Sequence, residues 1–310
     1  MATKIIIDTD PGVDDSMAIL FALRSPELEV VGLTSVFGNA DVEHTTLNAL
    51  RLVELEGCDH IPVAKGADFP IVRPRGRLGT FVHGDDGLGN TNQPFPKGKP
   101  LNIPAAQFIV ETIIDHPGEI TLVPIGPLSN IGLALLLAPE IIKKVKEVVI
   151  MGGSAYDRGN ASPAAEANVH NDPEATRLVF TAGWPLTMVG LDVTHKCIMT
   201  KQYLDNLAHT GNRATDFISK ILPFYQAYHH QWNGMKGDIH THDPSAIAYL
   251  IDRTLFKTKM MPVFIEVDGM CAGDTVPDPY HMWIDHPLTN VCLDVDSPRL
   301  QALYRERLTR

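Results

Sequence analysis

Short apolar runs alternate with longer amphipathic stretches along most of this chain. Ile5-Ile6-Ile7 reads as a buried strand, Pro11-Gly12 forces a turn, and Ser16 to Leu23 has helix-forming content until Ser25-Pro26 stops it. The pattern repeats. Strand-like Val30 to Val36 precedes helix-like Val42 to Glu56, and Ile120 to Pro124 precedes Ile131 to Leu137. Glu147 to Met151 then precedes Glu174 to Ala182, and Leu186 to Leu191 leads into helical material after Thr200. Strands this short and apolar, separated by helices, predict βαβ units and an α/β fold with a mostly parallel, Rossmann-like central sheet flanked by helices. No internal repeat, low-complexity tract or interdomain linker breaks the series, so residues 1–310 read as a single domain. Three segments do not fit the alternation: Phe69 to Pro104, Gly152 to Pro173, and Phe224 to His242. Irregular stretches of that length in a compact domain are usually functional, and all three are predicted to form a pocket rim over the carboxyl edge of the sheet.

Composition narrows the function classes. A hydrophobic content of 44% over 310 residues supports a sizeable core, and the longest apolar stretch, near Leu133 to Ala138, is far too short for a membrane span. A net charge of −11 disfavours a nucleic-acid polymer as partner, because phosphate-backbone binding depends on basic surface, whereas a small neutral substrate meets no such conflict. Met1-Ala2-Thr3-Lys4 leads straight into a strand without the charged start, apolar stretch and cleavage site of a secretory leader, so a cytoplasmic location is expected. Cys58, Cys197, Cys271 and Cys292 lack the CxxC spacing of zinc or redox sites and are expected to be buried, reduced thiols.

The richest chemistry lies in Asp8-Thr9-Asp10-Pro11-Gly12-Val13-Asp14-Asp15, where four carboxylates enter one sharp strand-to-helix turn. Such crowding is unfavourable unless a hard cation or altered protonation relieves it. Helix capping accounts for Asp14 or Asp15 but not for Asp8 and Asp10 as well. An EF-hand fits poorly, since the sixth and twelfth places counted from Asp8 hold Val13 and Ile19 instead of Gly and Glu. A haloacid-dehalogenase-like phosphatase also begins with Asp-x-Asp after a strand and would use Asp8 as nucleophile, but it expects a hydroxyl residue where Gly12 stands. Gly152-Gly153-Ser154 is accompanied by neither a GxGxxG nor a P-loop. Asp172-Pro173-Glu174 and Asp243-Pro244 both look like helix starts with Asp as N-cap and Pro in the first turn.

Asp8 to Asp15 closely resembles the signature of the nucleoside hydrolase family, calcium-dependent enzymes that cut the N-glycosidic bond of ribonucleosides. Further segments match the family pattern in order: Val36-Phe37-Gly38-Asn39, Val123 to Asn130, Asn160 through Glu166 and Asn168 to Glu174, and His242-Asp243-Pro244. The resemblance implies the nucleoside hydrolase fold and Ca2+ held by Asp10, Asp15, Asp243 and the main-chain carbonyl of Ile125. An oxygen-only ligand set of this kind disfavours zinc. Asp14 corresponds to the base that deprotonates the attacking water, and Asn39, Asn160, Glu166 and Asn168 to the sugar-binding positions. His83 and His242 stand where members acting on pyrimidine or mixed nucleosides carry histidines, His242 as proton donor to the leaving base, whereas the purine-specific branch typically lacks the latter. The segment Tyr228 to His242 is similar to that of pyrimidine-specific members, with Tyr228 as base contact. The expectation is uridine or cytidine hydrolysis by a homodimer or homotetramer, with a non-catalytic calcium-dependent nucleoside binder as the other outcome.

Overall fold

In the computed structural model, which describes residues 2–283 and 285–310, the apolar runs become strands; Met1, at the head of the stretch read for a leader, lies outside the described residues. The strands are β1 (Thr3–Thr9), β2 (Leu28–Ser35), β3 (Val63–Lys65), β4 (Ile120–Pro124), β5 (Glu147–Met151) and β6 (Leu186–Val189). They are followed by β7 (Ile198–Met199), β8 (Ile239–His240), β9 (Phe256–Ile265), β10 (Thr275–Pro277) and β11 (Leu288–Val295). Among the described residues the main sheet has nine strands in the order β10-β9-β11-β6-β5-β4-β1-β2-β3, while β7 and β8 form a small antiparallel pair. β1 to β6 and β11 pair parallel with one another, and only β9 runs against the rest, pairing antiparallel with both β11 and β10. No helix among the described residues is long and apolar enough to cross a membrane.

The alternation of side chains along β1 divides the core in two. Ile5 and Ile7 pack into one layer with the helices Val13–Leu23, Val42–Leu55, Arg213–Asn233, Asp243–Ile251 and Ser297–Thr309. Ile6 packs into the other layer with Ala105–Asp115, Ser129–Leu137 and Pro173–Thr181. Both faces of the sheet are therefore covered, as the uninterrupted apolar strands require. The adjacent carboxyl ends of β1, β4 and β5 open onto one edge.

Two expectations change. Phe224 to His242 is not irregular throughout: the helix Arg213–Asn233 continues through Pro223, and only a short connection separates it from β8. An interior proline ordinarily breaks a helix, but here Phe217, Ile218, Ile221, Leu222 and Tyr225 are buried on both sides of it and hold the two halves against the core. The cysteines are all free, yet only Cys197 and Cys292 are buried; Cys58 is half-buried and Cys271 exposed.

Candidate active site

The acidic turn is built by the backbone around it. Asp15 accepts Thr9 Oγ1 at 2.6 Å, the N–H of Asp10 at 3.2 Å, the N–H of Gly12 at 3.1 Å and Asn39 Nδ2 at 2.7 Å, so both its oxygens brace the turn. A Cβ at Gly12 would lie 2.6 Å from His83 Nδ1 and 2.7 Å from Asn39 Nδ2, which leaves no space for a hydroxyl side chain there. Asp8 is fully buried and accepts Thr34 Oγ1 at 2.6 Å and Asn130 Nδ2 at 2.7 Å; burial pushes its carboxyl up to about 7 against those bonds. Locked at the end of β1 and absent from the cavity wall, it is a structural residue, and the phosphatase reading fails on both points.

Asp8 Oδ2 has no partner, and Asp10 and Asp14 are likewise under-satisfied. Asp10 Oδ2 accepts the Asn39 N–H at 2.7 Å, while its Oδ1 has no partner. Asp14 Oδ2 accepts the Tyr225 hydroxyl at 3.2 Å, while its Oδ1, 3.7 Å from His83 Nδ1, has none. Asp243 is the first residue of its helix and makes no capping bond, in contrast to Asp172, which accepts the Ala175 N–H at 3.0 Å as the sequence predicted. Asp14, Asp15 and Asp243 each present a carboxylate oxygen within 4.8 Å of the others, and all are buried. Burial, then mutual repulsion, raises Asp10 and Asp243 well above the ordinary carboxylate range; burial holds Asp14 at about 6. Among the described residues no lysine or arginine is bonded to any of these four carboxylates. Unpaired, buried, oxygen-only donors suit a hard divalent cation. Asp10 stands outside the tightest group, against Gly38 and Gly126, where a Cβ at either glycine would collide with its carboxylate.

A cavity of about 940 Å³ opens above Asp14 and Asp243, and all three segments predicted as rim contribute to its wall. Asn39, Ile125, Glu166 and Asn168 also line it. Their polar groups are committed to scaffolding. Asn168 Nδ2 donates to the carbonyls of Ile125 at 2.9 Å and Met151 at 3.1 Å. Asn39 Nδ2 donates to Asp10 O at 3.2 Å as well as to Asp15. Glu166 accepts the N–H groups of Gly153, Asn168 and Val169. Asn160 accepts the Ala167 N–H at 2.9 Å from an exposed position on the rim.

Both predicted histidines face the cavity. His83 Nδ1 accepts the Val13 N–H at 3.1 Å, which puts the proton of the neutral ring on Nε2. His242 Nδ1 lies 2.9 Å from Thr194 Oγ1. Burial lowers His83 to about 4 and takes His242 well below its ordinary value. Tyr228 is half-buried and stacks edge-on with Phe81, ring centres 5.8 Å apart. Sequence reasoning missed His195, His229 and His240, which line the same wall, and gave no role to Tyr225, whose hydroxyl reaches Asp14. The spacing of Tyr225, Tyr228 and His229 puts all three on one helical face, a signal masked by Pro223.

Residues 5–302 match the family model described as inosine-uridine preferring nucleoside hydrolase. The chain belongs to this family. Over 98% of its length this nucleoside hydrolase is 42% identical to "Probable uridine nucleosidase 2" of Arabidopsis thaliana, covering 97% of that protein. It is 39% identical to "Pyrimidine-specific ribonucleoside hydrolase RihA" of Klebsiella pneumoniae, with 99% of each chain covered. Its fold superposes on a solved plant nucleoside hydrolase with a TM-score of 0.96 at 37% identity, covering 100% of this chain and 99% of that one. The protein is a ribonucleoside hydrolase.

Proposed function

We propose that this nucleoside hydrolase carries out calcium-dependent hydrolysis of pyrimidine ribonucleosides, uridine or cytidine, to ribose and free base. The observation that carries the proposal is the unpartnered Oδ1 of Asp14, buried among carboxylates at the floor of a nucleoside-sized cavity. Asp10, Asp15, Asp243 and the Ile125 carbonyl would hold the cation; that carbonyl keeps a second lone pair beyond its bond from Asn168. Bound calcium supplies positive charge that acidifies a neighbouring water and anchors a sugar diol.

Asp14 takes the proton of the water that attacks C1′. Its unpartnered Oδ1 is free to accept that proton, and the Tyr225 hydroxyl fixes its orientation. Asn39, Asn160, Glu166 and Asn168 present oxygens to the ribose hydroxyls, the braced amides being unable to swing away. The surrounding acids favour the positive charge that develops on the sugar. His242 protonates the departing base, with His83 and Tyr228 against its ring. Incubation with uridine, cytidine, inosine and a phosphomonoester, with reducing sugar and phosphate both measured, tests this reading. Ribose is expected fastest from uridine or cytidine. Tight nucleoside binding without product, or phosphate without ribose, refutes it.

A further inference from the structure

The cavity wall holds more imidazoles than one proton transfer needs. His195, His229, His240 and His242 sit side by side there, with ring centres 4.7 Å apart for His195–His240, 5.6 Å for both His229–His240 and His240–His242, and 5.8 Å for His195–His242. Among the described residues no hydrogen bond joins these rings directly, and His229 Nε2 and His240 Nδ1 have no partner, so at these spacings a single water can link neighbouring rings. Burial lowers His229 to about 3 and His240 to about 4, so these rings are neutral. A buried neutral ring that gives its proton to a departing base must be resupplied.

His195 differs from the others. Its side chain is 25% exposed, and its Nδ1 lies 2.9 Å from Asp157 Oδ2. Asp157 is held in place from below: buried Asp192 accepts the N–H groups of Ala155 and Tyr156 at 2.7 Å and of Asp157 at 3.3 Å, and Ser154 Oγ donates to the Asp157 carbonyl at 2.8 Å. Partial burial pushes the Asp157 carboxyl up, but the Arg158 N–H, His195 and nearby Lys196 outweigh it and keep it below the ordinary range. An ionised carboxylate on Nδ1 orients the ring and leaves Nε2 for exchange on the other side.

We propose that Asp157 and His195 form the unit that conducts a proton from solvent to the imidazoles surrounding the leaving base. His195 is a positioning residue acting through its neighbours, and the assignment rests on the hydrolase reading above. As the C1′–N bond breaks, its electron pair passes to the base. One proton, delivered through the imidazoles, neutralises that charge, and His195 regains a proton from solvent. The attacking water leaves its own proton on Asp14, which releases it to solvent before the next turnover. The sum is nucleoside plus water giving ribose plus base.

The test compares uridine with p-nitrophenyl riboside, whose phenolate departs without a proton. His195→Gln is expected to lower kcat on uridine by about 10–100-fold, and Asp157→Asn by about 3–10-fold, with the nitrophenyl substrate within about twofold of wild type. A purely structural role would reduce both substrates together, and that result, or unchanged uridine turnover, overturns the proposal. Should His195→Gln fail to fold by circular dichroism, the nearly isosteric Asp157→Asn gives the same comparison. Wild-type protein that cleaves neither substrate would overturn the hydrolase reading itself.

Discussion

Stripping calcium with a chelator should lower the melting temperature more at about pH 7.5 than at about pH 5.5, because protons and the cation compete for the same buried carboxylates. Asp10, Asp14, Asp15 and Asp243 are all raised by burial. For Asp14, about 6 in place of the ordinary 3.8 means that ionising it in the stripped cluster costs about 3 kcal/mol. Carboxyls raised in the folded state bind more protons there than in the unfolded chain. Stability of the stripped protein is therefore lost as pH rises from the unfolded value through the folded ones. Calcium at a hundred times its dissociation constant stabilises by about 2.7 kcal/mol, or roughly 5–10 °C at about 2–4 °C per kcal/mol. At about pH 5.5 it must first expel protons, at about 1 kcal/mol for Asp14 and more for Asp10 and Asp243, so the gap should narrow by several degrees. The histidines act in the opposite sense. His83, His229, His240 and His242 are depressed in the fold, so their contribution is present above 6.5 and lost as pH falls below it. That loss is common to loaded and stripped protein and cancels in the difference. Scanning calorimetry of both forms at both pH values is the assay; no gap near neutrality, or one that widens in acid, would refute the reasoning.

Asp14→Asn should reduce kcat by about 10²–10⁴-fold with calcium still bound by titration calorimetry, since Asp10, Asp15 and Asp243 remain; near-normal turnover in the folded variant removes Asp14 as the base. Gly12→Ser should push His83 and Asn39 out of place, destabilising by about 1–3 kcal/mol in urea titrations and abolishing turnover, whereas wild-type behaviour would contradict the contact geometry. Asn168→Ala strands the carbonyls of Ile125 and Met151, so a loss of about 1–3 kcal/mol together with a raised KM is expected, and an unchanged denaturation midpoint would count against its bracing role.

Local signals carried most of the parallel half of the sheet. Ile120–Pro124 and Glu147–Met151 fall where their apolar runs predict, and the helix after the acidic turn merely starts earlier, at Val13. The late strand β9, which pairs antiparallel with β11 and β10, was not anticipated, because its Lys257 to Met260 stretch is exposed and lacks the continuous apolar character of a buried strand. At the site, the acids were visible from their density, but their division of labour was not. Asp8 and Asp10 are two residues apart and chemically identical. Each keeps one bare oxygen; Thr34 and Asn130, brought in by neighbouring elements, tie Asp8 into the scaffold, whereas the Asp10 side chain accepts only the Asn39 N–H. The imidazole group was equally hidden, since His195, His229 and His240 come from three separate elements that converge only in the folded chain.

The carboxylate cluster also joins distant parts of the polypeptide: the turn after β1 supplies Asp14 and Asp15, while Asp243 arrives on a helix made much later. On the ribosome, the N-terminal acids emerge long before the group that completes their enclosure, and the helix Ser297–Thr309, which covers Phe21 through Tyr304, comes later still. Until then they remain hydrated and free of the repulsion that burial imposes. Assembly of the centre is thus deferred to the last stage of synthesis, and a nascent chain halted before Asp243 should bind divalent ions no better than an ordinary acidic peptide.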